Sequence, residues 1–192
     1  SSGAGRHGIA KKLFSPSEVS SMKLWLDASS LSTAGSTWDD KSGNSNNAVK
    51  NGSPTIALGT QNGKNIMRYS GTTGEFHSWA QMTDIRTVFW VLKKTGTNPN
   101  MLLLGDTSNY FFHPNGSNAM YHPSLSPVAN VRGGTTKING TNVNGTSTGI
   151  PTSMSVVSLK TSGNVTASNF ANDRNIVQSG VNRVFEGDLA EL

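Results

Sequence analysis

Apolar and polar residues alternate with a period of two along most of this chain, in short runs bounded by Gly, Asn, Ser and Pro. That period puts successive side chains on opposite faces, as in a strand with one face on a core. The runs cover residues 23–28, 55–58, 65–69, 75–80, 86–94, 101–104, 110–113, 119–122, 129–132, 137–139, 153–160, 165–170 and 183–192. Turn residues separate them about every ten positions, the spacing of a β-sandwich. Asn-Gly pairs begin at Asn51, Asn62, Asn115, Asn139 and Asn144. Asn-Gly suits a type I′ hairpin turn, in which both central residues take positive φ. Residues 86–92 are apolar on both alternating faces, which predicts a strand covered on both sides. Trp25, Trp38, Phe89, Trp90 and Phe185 are the expected core aromatics. Ser15-Pro16-Ser17-Glu18 is a helix start, with Ser15 as cap and Pro16 at the first helical position, so one short N-terminal helical turn is expected. Residues 1–14 lack periodicity and are expected to form a flexible arm, with residues 15–192 as one domain. The last run reaches Leu192 without a turn or cap, which reads as a final strand cut short.

Composition sharpens the all-β reading. Ser, Thr, Asn and Gly account for 86 of 192 residues, and charged residues for only 14%. Such a chain is poor in helix formers, which excludes a helical bundle and argues against a doubly wound α/β fold. No apolar run approaches the roughly 18 residues of a membrane span, so no membrane insertion is expected. The absence of Cys removes disulfides and thiolate metal sites. This composition fits a bacterial exported protein or a phage surface protein, placed outside the cell or on a virion. The net charge of +5 is scattered apart from Arg6, His7, Lys11 and Lys12 and the pair Lys93-Lys94. No basic stripe with interleaved aromatics is visible, so no nucleic-acid partner is expected. A mildly basic face toward an anionic polysaccharide is compatible with the charge.

Several segments, in order, resemble a known family. They are residues 24–28 (Leu-Trp-Leu-Asp-Ala) and 38–44 (Trp-Asp-Asp-Lys-Ser-Gly-Asn) with Asn46-Asn47-Ala48, then Arg68-Tyr69-Ser70-Gly71 and residues 87–91. Lys137-Ile138-Asn139-Gly140, Pro151, Val156-Val157-Ser158 and residues 185–192 (Phe-Glu-Gly-Asp-Leu-Ala-Glu-Leu) complete the set. The set resembles the laminin-G-like branch of the concanavalin A-like lectin/glucanase superfamily, in its bacterial or phage form. The resemblance implies an antiparallel two-sheet jelly-roll sandwich. It also implies a carbohydrate-binding, adhesion or spacer module of a larger secreted enzyme, adhesin or phage fibre. Some members bind a structural Ca²⁺.

Three residue sets are candidates for chemistry. Glu186, Asp188 and Glu191 match the acidic spacing of laminarinase-type glycoside hydrolases in that superfamily. A retaining pair of carboxyls needs a separation of about 5–5.5 Å, which one strand face supplies. The same letters also form the closing strand of non-catalytic relatives, and Gly187 stands where the enzymes carry a branched apolar residue. Asp39, Asp40, Ser42, Asn44 and Asn46 crowd oxygen atoms into one loop, as a Ca²⁺ site requires. The alternative is a loop whose side chains cap its own backbone. Asp106 and Asp173 are further oxygen ligands from other loops. A sugar site needs an aromatic face for C–H groups and polar side chains for hydroxyls. His77 and Trp79 in one stretch, and Tyr110, His113, Asn115, Tyr121 and His122 in another, offer that mixture. The alternative is that Phe76, Phe111 and Phe112 are core and that Trp79 caps a sheet edge. Three functions follow: a polysaccharide-binding module, an assembly domain contacting other chains of a fibre or virion, or a glycanase.

Overall fold

The computed structural model describes residues 14–52, 56–174 and 183–192; the expected arm therefore lies, Phe14 apart, outside the described residues. The fold is all-β and antiparallel. Among the described residues there are ten strands: β1 (Thr37–Trp38), β2 (Ala48–Asn51), β3 (Ala57–Gln61), β4 (Lys64–Ser70), β5 (Phe76–Lys94), β6 (Leu104–Gly105), β7 (Thr135–Ile138), β8 (Thr141–Val143), β9 (Ser155–Phe170) and β10 (Glu186–Glu191). One path of pairing runs β3-β4-β10-β5-β9-β7-β8. β1 and β2 join at the start of β5, and β6 at the end of β9.

The layers are not separate sheets. β5 and β9 belong to both, because each fuses two runs that the alternation predicts as distinct strands. Their pairing shifts register between Ser78 and Met82, Met82 and Ile85, and Ile85 and Thr87. Such bulges raise local twist and bend a ribbon sharply without ending it. The hydrogen-bonded surface thus turns over on itself. Trp38 of β1, His77 of β5 and Phe170 of β9 belong to one layer, while Tyr69 of β4 belongs to the other. The Tyr69 ring lies 5.1 Å from Phe170 and 5.7 Å from His77, and Trp38 lies 5.5 Å from His77. Rows of inward side chains cross the larger layer. Met67, Leu189 and Leu92 form one, and Trp90 and Val157 another, all buried. The close packing of these rows supplies most of the apolar burial.

Hairpin chemistry explains two connections. Asn62-Gly63 joins β3 to β4 and Asn139-Gly140 joins β7 to β8, with all four residues at positive φ. Several expectations change. Residues 129–132 form a short helix, α1 (Ala129–Arg132), entered through a 3-10 turn that carries Pro127. Residues 110–113 and 119–122 are loop, held by isolated backbone bonds and buried side chains rather than by ladders. Residues 23–28 make one bridge, Asp27 to Glu191, flanked by reciprocal bonds between Leu26 and Leu192. The turn at Pro16–Glu18 is present, but Ser15 makes no side-chain cap bond; its hydroxyl meets that of Ser17 instead. Phe89 is not in the core. It is 59% exposed, because its strand face looks outward over polar neighbours and nothing covers it.

Candidate functional site

The loop between β6 and α1 holds five of the candidate sugar-binding residues, Tyr110, His113, Asn115, Tyr121 and His122. Phe112 and Tyr121 are buried, Phe112 with its edge 6.1 Å from the Trp90 ring and Tyr121 across Gly145. These anchors hold the loop to the core and turn its intervening rings outward. Tyr110 and His113 meet edge to face at 5.9 Å, and His113 and His122 at 6.0 Å. The backbone N–H of His122 donates to the carbonyl of His113, which locks the two halves of the loop together. Asn115 is half-buried two residues beyond His113, and its amide donates to Ser117. The Arg174 guanidinium lies 4.2 Å over the Tyr110 ring. Asp173, itself buried, pairs with Arg174 at 3.4 Å and with Arg183 at 2.9 Å.

This rim is electrostatically specific. His113 donates Nδ1–H to the Pro114 carbonyl at 2.8 Å. Its pKa lies below 6.5, chiefly because partial burial disfavours the charged ring, and Arg183 and Arg174 add repulsion that outlasts the attraction of Asp173. The imidazole is therefore neutral at pH 7 and keeps Nε2 as an acceptor. His122 Nδ1 accepts two backbone N–H bonds at 3.2 Å, from Ser124 and Leu125, which leaves its Nε2–H as a donor. One acceptor and one donor thus sit beside an aromatic face backed by a cation.

His77, Trp79 and Tyr121 belong elsewhere. They are 1%, 8% and 0% exposed and face the core, so none presents a ring to a ligand from solvent. His77 Nδ1 is hydrogen-bonded to Tyr69 Oη at 2.6 Å. Burial pushes its pKa down to about 4.

The oxygen-rich loop is wired to itself. Asp40 Oδ1 accepts from the backbone N–H of Trp25 and Ser42, and Oδ2 from the Ser42 hydroxyl and the Asn46 N–H. Those four bonds fill the carboxylate. Asn44 and Asn46 donate their amides to the carbonyls of Met22 and Lys23, and Asp39 is exposed. The loop thus fastens residues 22–25 to the β1–β2 hairpin. Asp106 accepts from Gln81 and Asn109. Among the described residues no group of three His, Asp or Glu is arranged to hold a metal ion.

The acidic triplet lies on β10. By register, Glu186 and Asp188 share the outward face. Asp188 is fully buried beneath a two-point ion pair with Arg68, at 2.8 and 3.0 Å, and lies 3.5 Å from Lys93. Glu191 follows a bulge and accepts from the Trp25 indole N–H at 2.6 Å. Glu186 packs over Gly71 and Gly96. The carboxylates of Asp188 and Glu191 are thus engaged by their own neighbours.

One surface escapes the sequence reading. On the outer face of β5, β9 and β7, Phe89 stands opposite Ser158, and Ser158 opposite Lys137. The polar residues at 158, 160, 135 and 137 alternate along β9 and β7 and mark this face as outward. That signal becomes readable only once the pairing of the three strands is known. Comparison of the chain with known protein families, curated proteins and solved structures finds no match. The class is therefore set by architecture: an all-β antiparallel domain whose sheet doubles over a single core and displays a half-exposed aromatic rim.

Proposed function

We propose that this chain is a non-catalytic carbohydrate-binding module of the concanavalin A-like, laminin-G-like type, working outside the cell as part of a larger secreted enzyme, adhesin or phage fibre. The observation that supports this most is the rim formed by Tyr110, His113 and His122. A pyranose ring lays its C–H face on Tyr110 by apolar burial, while the two Nε2 atoms and Asn115 meet its hydroxyls.

The glycanase alternative asks for carboxyls free to act as acid and nucleophile. Here Asp188 is spent on Arg68 and Lys93, and Glu191 on Trp25. The assembly alternative rests on the amino-terminal arm, which Phe14 apart lies outside the described residues, and on an unfinished last strand. β10 is hydrogen-bonded on both sides, to β4 and to β5, so it offers no open edge to a neighbouring chain.

Affinity electrophoresis against bacterial and algal polysaccharides tests the reading. Retention is expected, and Tyr110→Ala should weaken it by about tenfold or more, the cost of a lost stacking surface. A folded protein retained by no polysaccharide, or retention untouched by both Tyr110→Ala and His122→Ala, refutes it.

A further inference from the structure

The outer sheet face carries a second feature, distinct from the rim. Phe89 and Val156 are 59% and 43% exposed, and both face outward. Phe89, Thr87, Thr135, Lys137, Ser158 and Lys160 line a shallow groove of about 440 Å³. Exposed apolar side chains that adjoin one another and are rimmed by polar residues, rather than scattered singly, suit a ligand-binding groove.

Charge selects the occupant. Lys137 and Lys160 are exposed, and their ammonium groups make no ion pair or hydrogen bond among the described residues. Further along the same face, the cations Arg68 and Lys93 share the single carboxylate of Asp188. Among the described residues the two lysines beside the phenyl ring have no carboxylate partner at all. A twofold copy of this chain centred on Phe89 would bring lysines toward lysines. The chain's own residues Arg6, Lys11 and Lys12 carry the same sign. A single exposed ring flanked by two cations is also too little for a nucleic acid, which stacks successive bases on successive aromatics.

We propose that this groove binds a segment of an acidic polysaccharide, with a pyranose face on Phe89 and carboxylate or sulfate groups on Lys137 and Lys160. The proposal rests on the carbohydrate-binding reading but uses a different site. Stacking removes the apolar C–H face and the phenyl from water, and the electron-rich ring face attracts the polarised C–H groups. The hydroxyls of Thr87, Thr135 and Ser158 both donate and accept, as sugar hydroxyls require. Lys137 lies two strands from Phe89, about 10 Å across the sheet. A ligand must therefore be an oligosaccharide to reach both.

Calorimetry with two matched pairs tests this: oligogalacturonate against its methyl ester, and sulfated against unmodified dextran oligosaccharide. The charged member of at least one pair should bind, with its neutral partner about tenfold weaker or more. Phe89→Ala should lose about tenfold, the size of a lost stacking surface, and the double variant Lys137→Gln/Lys160→Gln about tenfold or more, the size of at least one charge-assisted contact, while Tyr110→Ala retains this binding. All three changes are at solvent-facing or half-buried positions, and an unchanged melting temperature verifies the fold. Equal affinity for charged and neutral members overturns the proposal. So does no binding of either charged member, indifference to the groove variants, or preference for a single-stranded oligonucleotide. Loss of all binding in Tyr110→Ala, with the groove variants unaffected, removes this site and leaves the rim reading standing.

Discussion

His77 shows how one side chain changes meaning with its surroundings. In the sequence it stands among aromatic and polar neighbours, as a sugar-binding histidine would. In the fold it is closed off by Trp38, Tyr69 and Phe170, and its ring stays neutral because a charged imidazole there would lose its hydration. Lys50 adds repulsion of the same sign. The unfolded chain takes up the proton near pH 6.5, whereas the native state resists until about pH 4. Protonation therefore favours unfolding, and stability falls as the pH drops from 6.5 toward 4. The loss attributable to His77 is up to about 3 kcal/mol. Urea midpoints measured across that window should fall with acid, and His77→Gln should flatten the fall. His113 adds a slope of the same sign, so the difference between the parent and His77→Gln is the quantity to read. The carboxylates Asp27 and Asp40, whose pKa values lie below 3.8, act in a lower window. A parent protein with equal midpoints at both ends of the His77 window contradicts this account.

Among the elements, the strands were legible where alternation and turn chemistry agreed. β4 follows from a period-two run after Asn62-Gly63, and β7 in part from the run at 137–139 that meets Asn139-Gly140, whereas β8 was not among the expected runs. The aromatic loop did not follow. Its Tyr, Phe and His pattern alternates like a strand, but it turns on itself and finds no partner ladder, and the burial of Phe112 and Tyr121 with a few isolated backbone bonds, such as that from His122 to His113, gives it shape. Residues 129–132 read as strand and fold as helix, because the Pro127 turn starts a helical backbone that packs on β9. β10 supplies the clearest test of an element. A Cβ at Gly187 would overlap the carbonyl oxygen of Lys93 and crowd the Phe185 ring. This explains why the branched residue of the glucanase pattern has no room here. Gly187→Ala should cost about 1–3 kcal/mol by overpacking, read as a lower urea midpoint with an unchanged slope. A neutral substitution shows that β5 and β10 are farther apart than described.

The molecule as a whole depends on its last residues. β10 sits between β4 and β5, inside the larger layer, although it comes at the end of the chain. Leu189 completes the buried row with Met67 and Leu92, and Leu192 pairs with Leu26. Two interior strands thus wait for the final segment before their hydrogen bonds are met, and the cost of an unfilled ladder falls on both. A chain ending before Glu186 should give a disordered near-ultraviolet circular dichroism spectrum and bind a hydrophobic dye, whereas the parent gives a cooperative transition. A folded, cooperative shortened chain contradicts this role for β10. The same doubling of the sheet brings the rim and the Phe89 groove onto one rigid frame, carried by β5 and β9.

Alternation, turn residues and composition were enough for the all-β class, for most strands and for the two Asn-Gly hairpins. These are local properties, set by backbone sterics and by the face on which each side chain must fall. Which apolar face meets the core was settled by pairing between distant strands. Phe89 and Trp90 look alike along the chain, yet one lies opposite Ser158 facing water and the other opposite Val157 in the interior. The same holds for His77 against His113, and for Asp188 beneath Arg68. Burial, charge matching and access are sums over neighbours far apart in sequence, so they exist only in the assembled sheet.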